Sequence, residues 1–146
     1  MINSINIDYA NKILQVYELK CKPLCQNLNI SQTSFDILMF LHNHPLYSTA
    51  RDIVNIRGIK ASLVSMHVDK LVNDGYLVRE AIIKDRRKTK LIITNKAKPI
   101  IIKGSQMQKD FFNSLLDNIS EKNKSIFYET IQEIKENLNK MMKEGK

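Results

Sequence analysis

Between residues 7 and 28, apolar side chains recur at Ile13, Tyr17, Leu24 and Leu28, which share one face of a helix. Pro23 lies inside this stretch and is expected to kink or divide it. Ser31 then occupies an N-cap position, with Ile30 and Phe35 placed as a hydrophobic staple, and opens a helix QTSFDILMFLHN that ends before Pro45. Thr49-Ala50-Arg51-Asp52 carries the Ser/Thr-x-x-acid start signal of a short helix that runs to Arg57 and stops at Gly58, the residue best suited to a left-handed cap. The next helix, KASLVSMHVDKLVND, turns Leu63 or Val64, then Val68 and Leu71, inward and ends at Gly75. Val78, Ile82, Ile83, Ile92 and Ile93 are β-branched and mark two strands. Farther on, Ile101, Phe111, Phe112, Leu115, Leu116 and Ile119 suit one long amphipathic helix, and Ser120 can cap another. In that last helix Phe127, Ile131, Ile134, Leu138 and Met141 recur at spacings of four, three, four and three, a heptad-like seam.

Two short helices joined by a Gly-containing turn and followed at once by a β-hairpin give the order of a winged helix-turn-helix. The expected fold is therefore mainly α with a small β-hairpin wing and long N- and C-terminal helices. No low-complexity linker, repeat or composition break interrupts the chain, so residues 1–146 read as one domain, with 31–95 as the winged core and 1–30 and 96–146 as dimerisation helices. The seam residues Phe127, Ile131, Ile134, Leu138 and Met141, with Ile13 and Tyr17 of the first helix, are the expected dimer contacts, because the basic middle segment offers too little apolar surface to cover two long terminal helices. The other reading of the same stripes is an ordinary core face within one subunit.

The chain is 43% hydrophobic and 26% charged, with 4 Gly and 3 Pro, which fits a soluble, helix-tolerant domain rather than a disordered one. No apolar run approaches the ~18 residues that a membrane span needs, and the opening residues MINSINIDYANK lack a basic region followed by an apolar core, so no membrane role and a cytoplasmic address are expected. The net charge of +8 is unevenly spread. Residues 49–94 hold ten Lys and Arg against five acids, whereas residues 1–48 hold three of each. A localised excess of this kind points to an anionic partner.

Its densest part is IKDRRKTKLIIT, residues 83–94, where five cations and one carboxylate sit between two apolar runs. Like charges packed this closely repel, and a polyanion offsets the repulsion. On a wing, Lys84, Arg86, Arg87 and Lys88 can reach phosphates or a narrow minor groove, with Asp85 bracing Arg87 or Arg79 in a fixed direction. A solvated turn that binds nothing is the plain alternative. The preceding helix shifts the balance: its outward positions Lys60, Ala61, Ser62, Ser65, Met66, His67 and Lys70 are small or polar enough to let a helix approach base edges in the major groove. His67 has two readings, a hydrogen bond to base or phosphate and a half-buried structural histidine.

TARDIVNIRGIKASLVSMHVDKLVNDGYLVRE followed by DRRKTKLIIT resembles the winged helix-turn-helix of the MarR (multiple antibiotic resistance regulator) family, including its Asp-x-Arg wing and the closing pair Ile93-Thr94. KPLCQNLNISQTSFDILMFL resembles the family's first-to-second helix junction, so the likeness covers nearly the whole chain. The resemblance implies a homodimeric, sequence-specific regulator of transcription, a repressor answering a small-molecule or stress signal at a pseudo-palindromic operator in double-stranded DNA. Its recognition helices would enter major grooves and Arg87 a minor groove. Two departures stand out. Met66 occupies a position where many members carry Arg, and no Cys stands near Ile7, where the peroxide-sensing branch has its reactive one.

Cys21 and Cys25 lie four apart around Pro23, and in a reduced compartment are expected to be packed, although Lys20 and Lys22 could lower a thiol pKa in a redox role. Two thiols do not complete a zinc site, and His42, His44 and His67 show no ligand spacing, so no metal and no cofactor are expected. Without a glycine-rich phosphate loop or a nucleophile elbow, an enzyme is not expected either. Two other classes remain beside the DNA regulator: a winged-helix module for RNA or structured nucleic acid, and a helical protein-interaction adaptor.

Overall fold

The computed structural model describes residues 7–145, so residues 1–6 of the expected N-terminal dimerisation segment, together with the leader reading of the opening stretch, lie outside the described residues. Helix α1 (Ile7–Leu28) is continuous. Pro23 does not divide it: the proline costs one ladder bond, and the burial of Cys21 and Cys25 on either side of it holds the turn in place. Asn29, with φ 52°, reverses the chain. Helix α2 (Gln32–Asn43) starts at Ser31, whose Oγ accepts the Ser34 amide at 3.1 Å. The reciprocal capping box expected at Thr49 forms with Asp52 and opens the short helix α3 (Ala50–Asp52), which continues as one π-helical turn over Ile53–Arg57. Gly58 closes it at φ 78°, a left-handed conformation that a side chain would strain.

Helix α4 (Ala61–Asn73) follows, then strands β1 (Leu77–Ile82) and β2 (Asp85–Ile93), a short 3₁₀ turn, helix α5 (Lys98–Leu115) and helix α6 (Glu121–Glu144). Mainly α with one two-stranded antiparallel hairpin, the fold matches the expected winged helix-turn-helix. The single long helix expected through Ile119 is four residues shorter than its apolar pattern: α5 ends at Leu115, and Asn118 at φ 60° turns the chain toward the Ser120 cap of α6. Periodicity continues through Leu116 and Ile119, but a left-handed residue cannot continue a right-handed helix.

Contacts divide the chain into two compact units, meeting between Phe111 and Phe112. In the first, α2 is the centre of the core, with Phe35, Ile37, Leu38, Met39, Phe40 and Leu41 all buried. Val64, Val68 and Leu71 of α4 close on this core, which settles the inward register on Val64; Leu63 faces outward. Cys21 and Cys25, Ile53, Leu77, Leu91, Ile100 and Ile101 complete it. Gly104 allows the closest approach: a Cβ there would lie 2.6 Å from Met39 Sδ and 2.8 Å from Phe35 Cε2. The second unit contains α6, which buries none of its residues.

Candidate nucleic-acid interface

Helix α4 offers its outer face because its inner one is spent on Val64, Val68 and Leu71. Lys60, at the N-cap position, and Ala61, Ser62, Ser65, Met66 and Lys70 are exposed, and no acid stands in the first turn. The positive end of the helix dipole and the Lys60 ammonium therefore meet at one end, an arrangement suited to anions. Met66 is 56% exposed, an apolar spot between polar neighbours. Lys70 reaches Asp74 at 3.0 Å, but both side chains are open to solvent, and such a pair exchanges readily for a stronger anion.

His67 has partners within the chain. It is half-buried, and its Nδ1 lies 3.0 Å from Ser34 Oγ and 3.3 Å from Ser31 Oγ. The same Ser31 hydroxyl caps α2, so one ring fixes the recognition helix against the start of the central helix. The two serines were not legible as partners from the sequence, since they lie 36 and 33 residues away.

The wing stands beside α4. Its strands pair from Leu77↔Ile93 to Ala81↔Thr89, after which the register jumps to Ile82↔Asp85. Arg86, Arg87 and Lys88 consequently face no partner in the ladder, and all three side chains are exposed with Lys84. The turn itself is Ile83-Lys84, so the cations expected at the tip lie mostly on the first part of β2, held in extended backbone rather than in a loose loop. Asp85 braces Arg87, but through the main chain: its Oδ1 accepts the Arg87 amide at 3.0 Å. The expected alternative, Asp85 on Arg79, is corrected. The Arg79 guanidinium pairs with Asp69 of α4, because Arg79 lies near the base of the hairpin and Asp85 at its far end. This pair ties wing to recognition helix, and Asp69 is a residue that spacing could not have found. At the base, the Leu91 amide donates to Ser48 O at 2.8 Å, and Thr49 bridges to Lys90, anchoring the wing to the start of α3.

Between these elements lies a cleft of about 500 Å³, with Arg51 and Arg79 on its walls, Val54, Val64, Val68 and Leu91 beneath them, and Ala61 and Ser65 of α4 along one side. A second, wider cavity of about 820 Å³ runs along the end of α1 past Lys22, Ser31 and Lys70.

Of the two thiols, Cys25 borders the second cavity and Cys21 does not. Cys21 is fully buried, Cys25 nearly so, and neither is in a disulfide. Burial pushes both thiols up, Cys25 to about 11, in keeping with the packed reading; Lys20 and Lys22, which could have lowered them, sit in water, where their field is screened. No group of three or more potential metal ligands occurs among the described residues.

Tyr17, expected at a dimer seam, is engaged within its own unit: its hydroxyl accepts from Gln108 Nε2 at 2.8 Å, its ring meets Phe111 edge-on at 5.4 Å, and burial raises its phenol. Ile13 is half-buried. On α6, Phe127, Ile134, Leu138 and Met141 are exposed and Ile131 is half-buried. No helix among the described residues is long and apolar enough to cross a membrane.

A recognition helix of small polar side chains, held against a cationic two-stranded wing, defines a winged helix-turn-helix protein of the DNA-binding type. Residues 28–88, the segment from the end of α1 through most of the wing, match the model of the MarR family. Comparison with curated protein sequences gives no match. Solved structures share the fold: one of MarR, at 17% identity and TM-score 0.78, covering 99% of this chain and 98% of that one. A MarR transcriptional regulator from Methanosarcina mazei aligns at 18% identity over 92% and 94% of the two chains, TM-score 0.74. A MarR family regulator from Listeria monocytogenes, solved in complex with a 26mer DNA, aligns at 15% identity over 92% and 89%, TM-score 0.79.

Proposed function

We propose that this regulator is a homodimeric repressor that binds a pseudo-palindromic operator in double-stranded DNA. The observation that carries the reading is the joining of two surfaces: the exposed row Lys60, Ala61, Ser62, Ser65, Met66 and Lys70 on α4, and the ladder-free cations Arg86, Arg87 and Lys88 with Lys84 on the wing, linked by the Arg79–Asp69 pair. The helix supplies side chains short enough for base edges, and the wing supplies charge for phosphates and a minor groove. The DNA-bound Listeria regulator of like fold supports the choice of duplex DNA as partner. Homodimerisation through residues 1–30 and 96–146 is supported by α6, whose apolar Phe127, Ile134, Leu138 and Met141 are exposed, and by the exposed Leu14 and Leu19 of α1. A two-fold protein then selects a two-fold site.

The effector half of the reading rests on the cleft between α3, α4 and the hairpin. Its apolar lining and Arg51 fit a small hydrophobic acid, which would occupy the flank of the recognition helix and so compete with DNA. The test is competition binding at several salt concentrations with a palindromic duplex, a scrambled duplex and a hairpin RNA. The expected result is a preference for the palindrome that survives added salt while overall affinity falls. Equal affinity for the three would replace the regulator with a non-specific nucleic-acid module, and no affinity for any would leave the adaptor.

A further inference from the structure

Ile83 is the most exposed large apolar side chain among the described residues, at 100%. It forms the hairpin turn with Lys84, where chains ordinarily place Gly, Asn or Asp, and it adopts no positive φ that would bring the turn a stereochemical gain. A β-branched apolar residue there contributes nothing to the core and is a poor turn former. Its surroundings are cationic. Lys84, Arg86, Arg87 and Lys88 are all exposed, the last three without ladder partners, while the one nearby carboxylate, Asp85, is occupied by the Arg87 amide. An apolar point inside a collar of cations is complementary to a nucleic-acid groove, where phosphates line both rims and stacked bases form an apolar interior between them. The minor groove, about 6 Å wide, admits one such side chain and excludes a helix.

We propose that Ile83 is a minor-groove wedge: it presses on the base step beneath the wing, partly unstacks it, and so selects a deformable pyrimidine–purine step at a position that the recognition helix does not read. The inference rests on the DNA-binding reading above and adds a specificity determinant to it. The cations hold the wing down, and the isoleucine converts that hold into a sequence preference, because unstacking costs less at TA or CA steps than within a stiff A-tract.

The experiment uses the full-length chain and duplexes that it selects from a random pool. In the best duplex, the step beneath each wing is then set to TA or to AA, and affinity and bending, read by end-to-end energy transfer, are compared for the wild type, Ile83→Ala, Ile83→Met and Arg87→Ala. The wild type should bind and bend the TA duplex more, with roughly a tenfold affinity difference. Ile83→Ala should bind both duplexes alike, and Ile83→Met, which keeps an apolar reach, should retain the difference. Arg87→Ala should weaken both and keep their ratio. Because Ile83 touches no core, unchanged thermal unfolding should accompany Ile83→Ala. If Ile83→Ala still discriminates TA from AA as the wild type does, or if the wild type bends both equally, there is no wedge. If the wild-type chain selects no duplex at all, the regulator reading falls first, before any variant is made, and the wedge falls with it.

Discussion

Arg87 divides its work between two parts of one residue. Its amide is held by Asp85, which fixes the strand, while its side chain extends into solvent among unpaired cations. Arg87→Ala keeps the first and deletes the second, so the fold should be unaffected and the loss should be electrostatic. The dependence of log K on log salt should flatten by about 1 per subunit, with little change in the preferred duplex. Titrations at four salt concentrations check this; wild-type affinity and slope in the folded variant would make the wing a solvated turn. Lys60, Ser62 and Ser65 should behave oppositely, each substitution costing ~1–3 kcal/mol per lost base contact and relaxing preference at particular base pairs. The two thiols give a prediction of constancy. With Cys25 pushed up to about 11 and Cys21 raised as well, hardly any thiolate exists near neutral pH, and burial denies access. DNA affinity should be the same before and after mild peroxide, and a reversible loss abolished by Cys21→Ser or Cys25→Ser would contradict it.

The helices and the hairpin were largely legible from the sequence because local chemistry decided them: the Thr49–Asp52 box, the Ser31 and Ser120 caps, the Gly58 stop and the β-branched run each act within a few residues. What spacing missed was decided at a distance. Pro23 leaves α1 whole because buried neighbours outweigh one lost bond, and Asp69, not Asp85, meets Arg79 because the hairpin's register sets which residues lie near its base. His67 was readable only as two alternatives, since its serine partners come from another helix. The packing of α2 on α5 also escaped notice, although it rests on a single glycine. Gly104→Ala adds one methyl where Met39 and Phe35 leave no room, which sets overpacking against the better helix propensity of alanine. Overpacking should win by about 1–2 kcal/mol, seen as a lower denaturant midpoint at unchanged m-value. A midpoint at or above the wild-type value would show that Met39 swings aside at no cost.

At the scale of the whole molecule, the described residues hold one well-covered core and one long helix, α6, with no buried residue. A 24-residue helix whose Phe127, Ile134, Leu138 and Met141 all face solvent gains little stability from its own sequence, and an amphipathic stripe of that length is stable when a second stripe meets it. A chain ending at Ile119 should therefore sediment as a monomer and unfold at lower temperature than the full chain, whose midpoint should rise with protein concentration. A truncated chain that remains dimeric and equally stable would move the interface away from α6. The sequence displayed the heptad spacing but left open whether a partner or the chain's own core covered it; the exposure of Phe127, Ile134, Leu138 and Met141 favours a partner.

The bond from Gln108 to Tyr17 joins residues 91 positions apart, and Phe111 closes on the same ring. A ribosome adding 5–20 residues per second reaches Gln108 on the order of 10 s after Tyr17. For that interval the nascent first helix carries an unfinished flank, while the segment from Ser31 to Thr94 already has most of its own core partners and can collapse without it. The reading head is thus the part that matures early, and the arms that would bring two copies together are completed late.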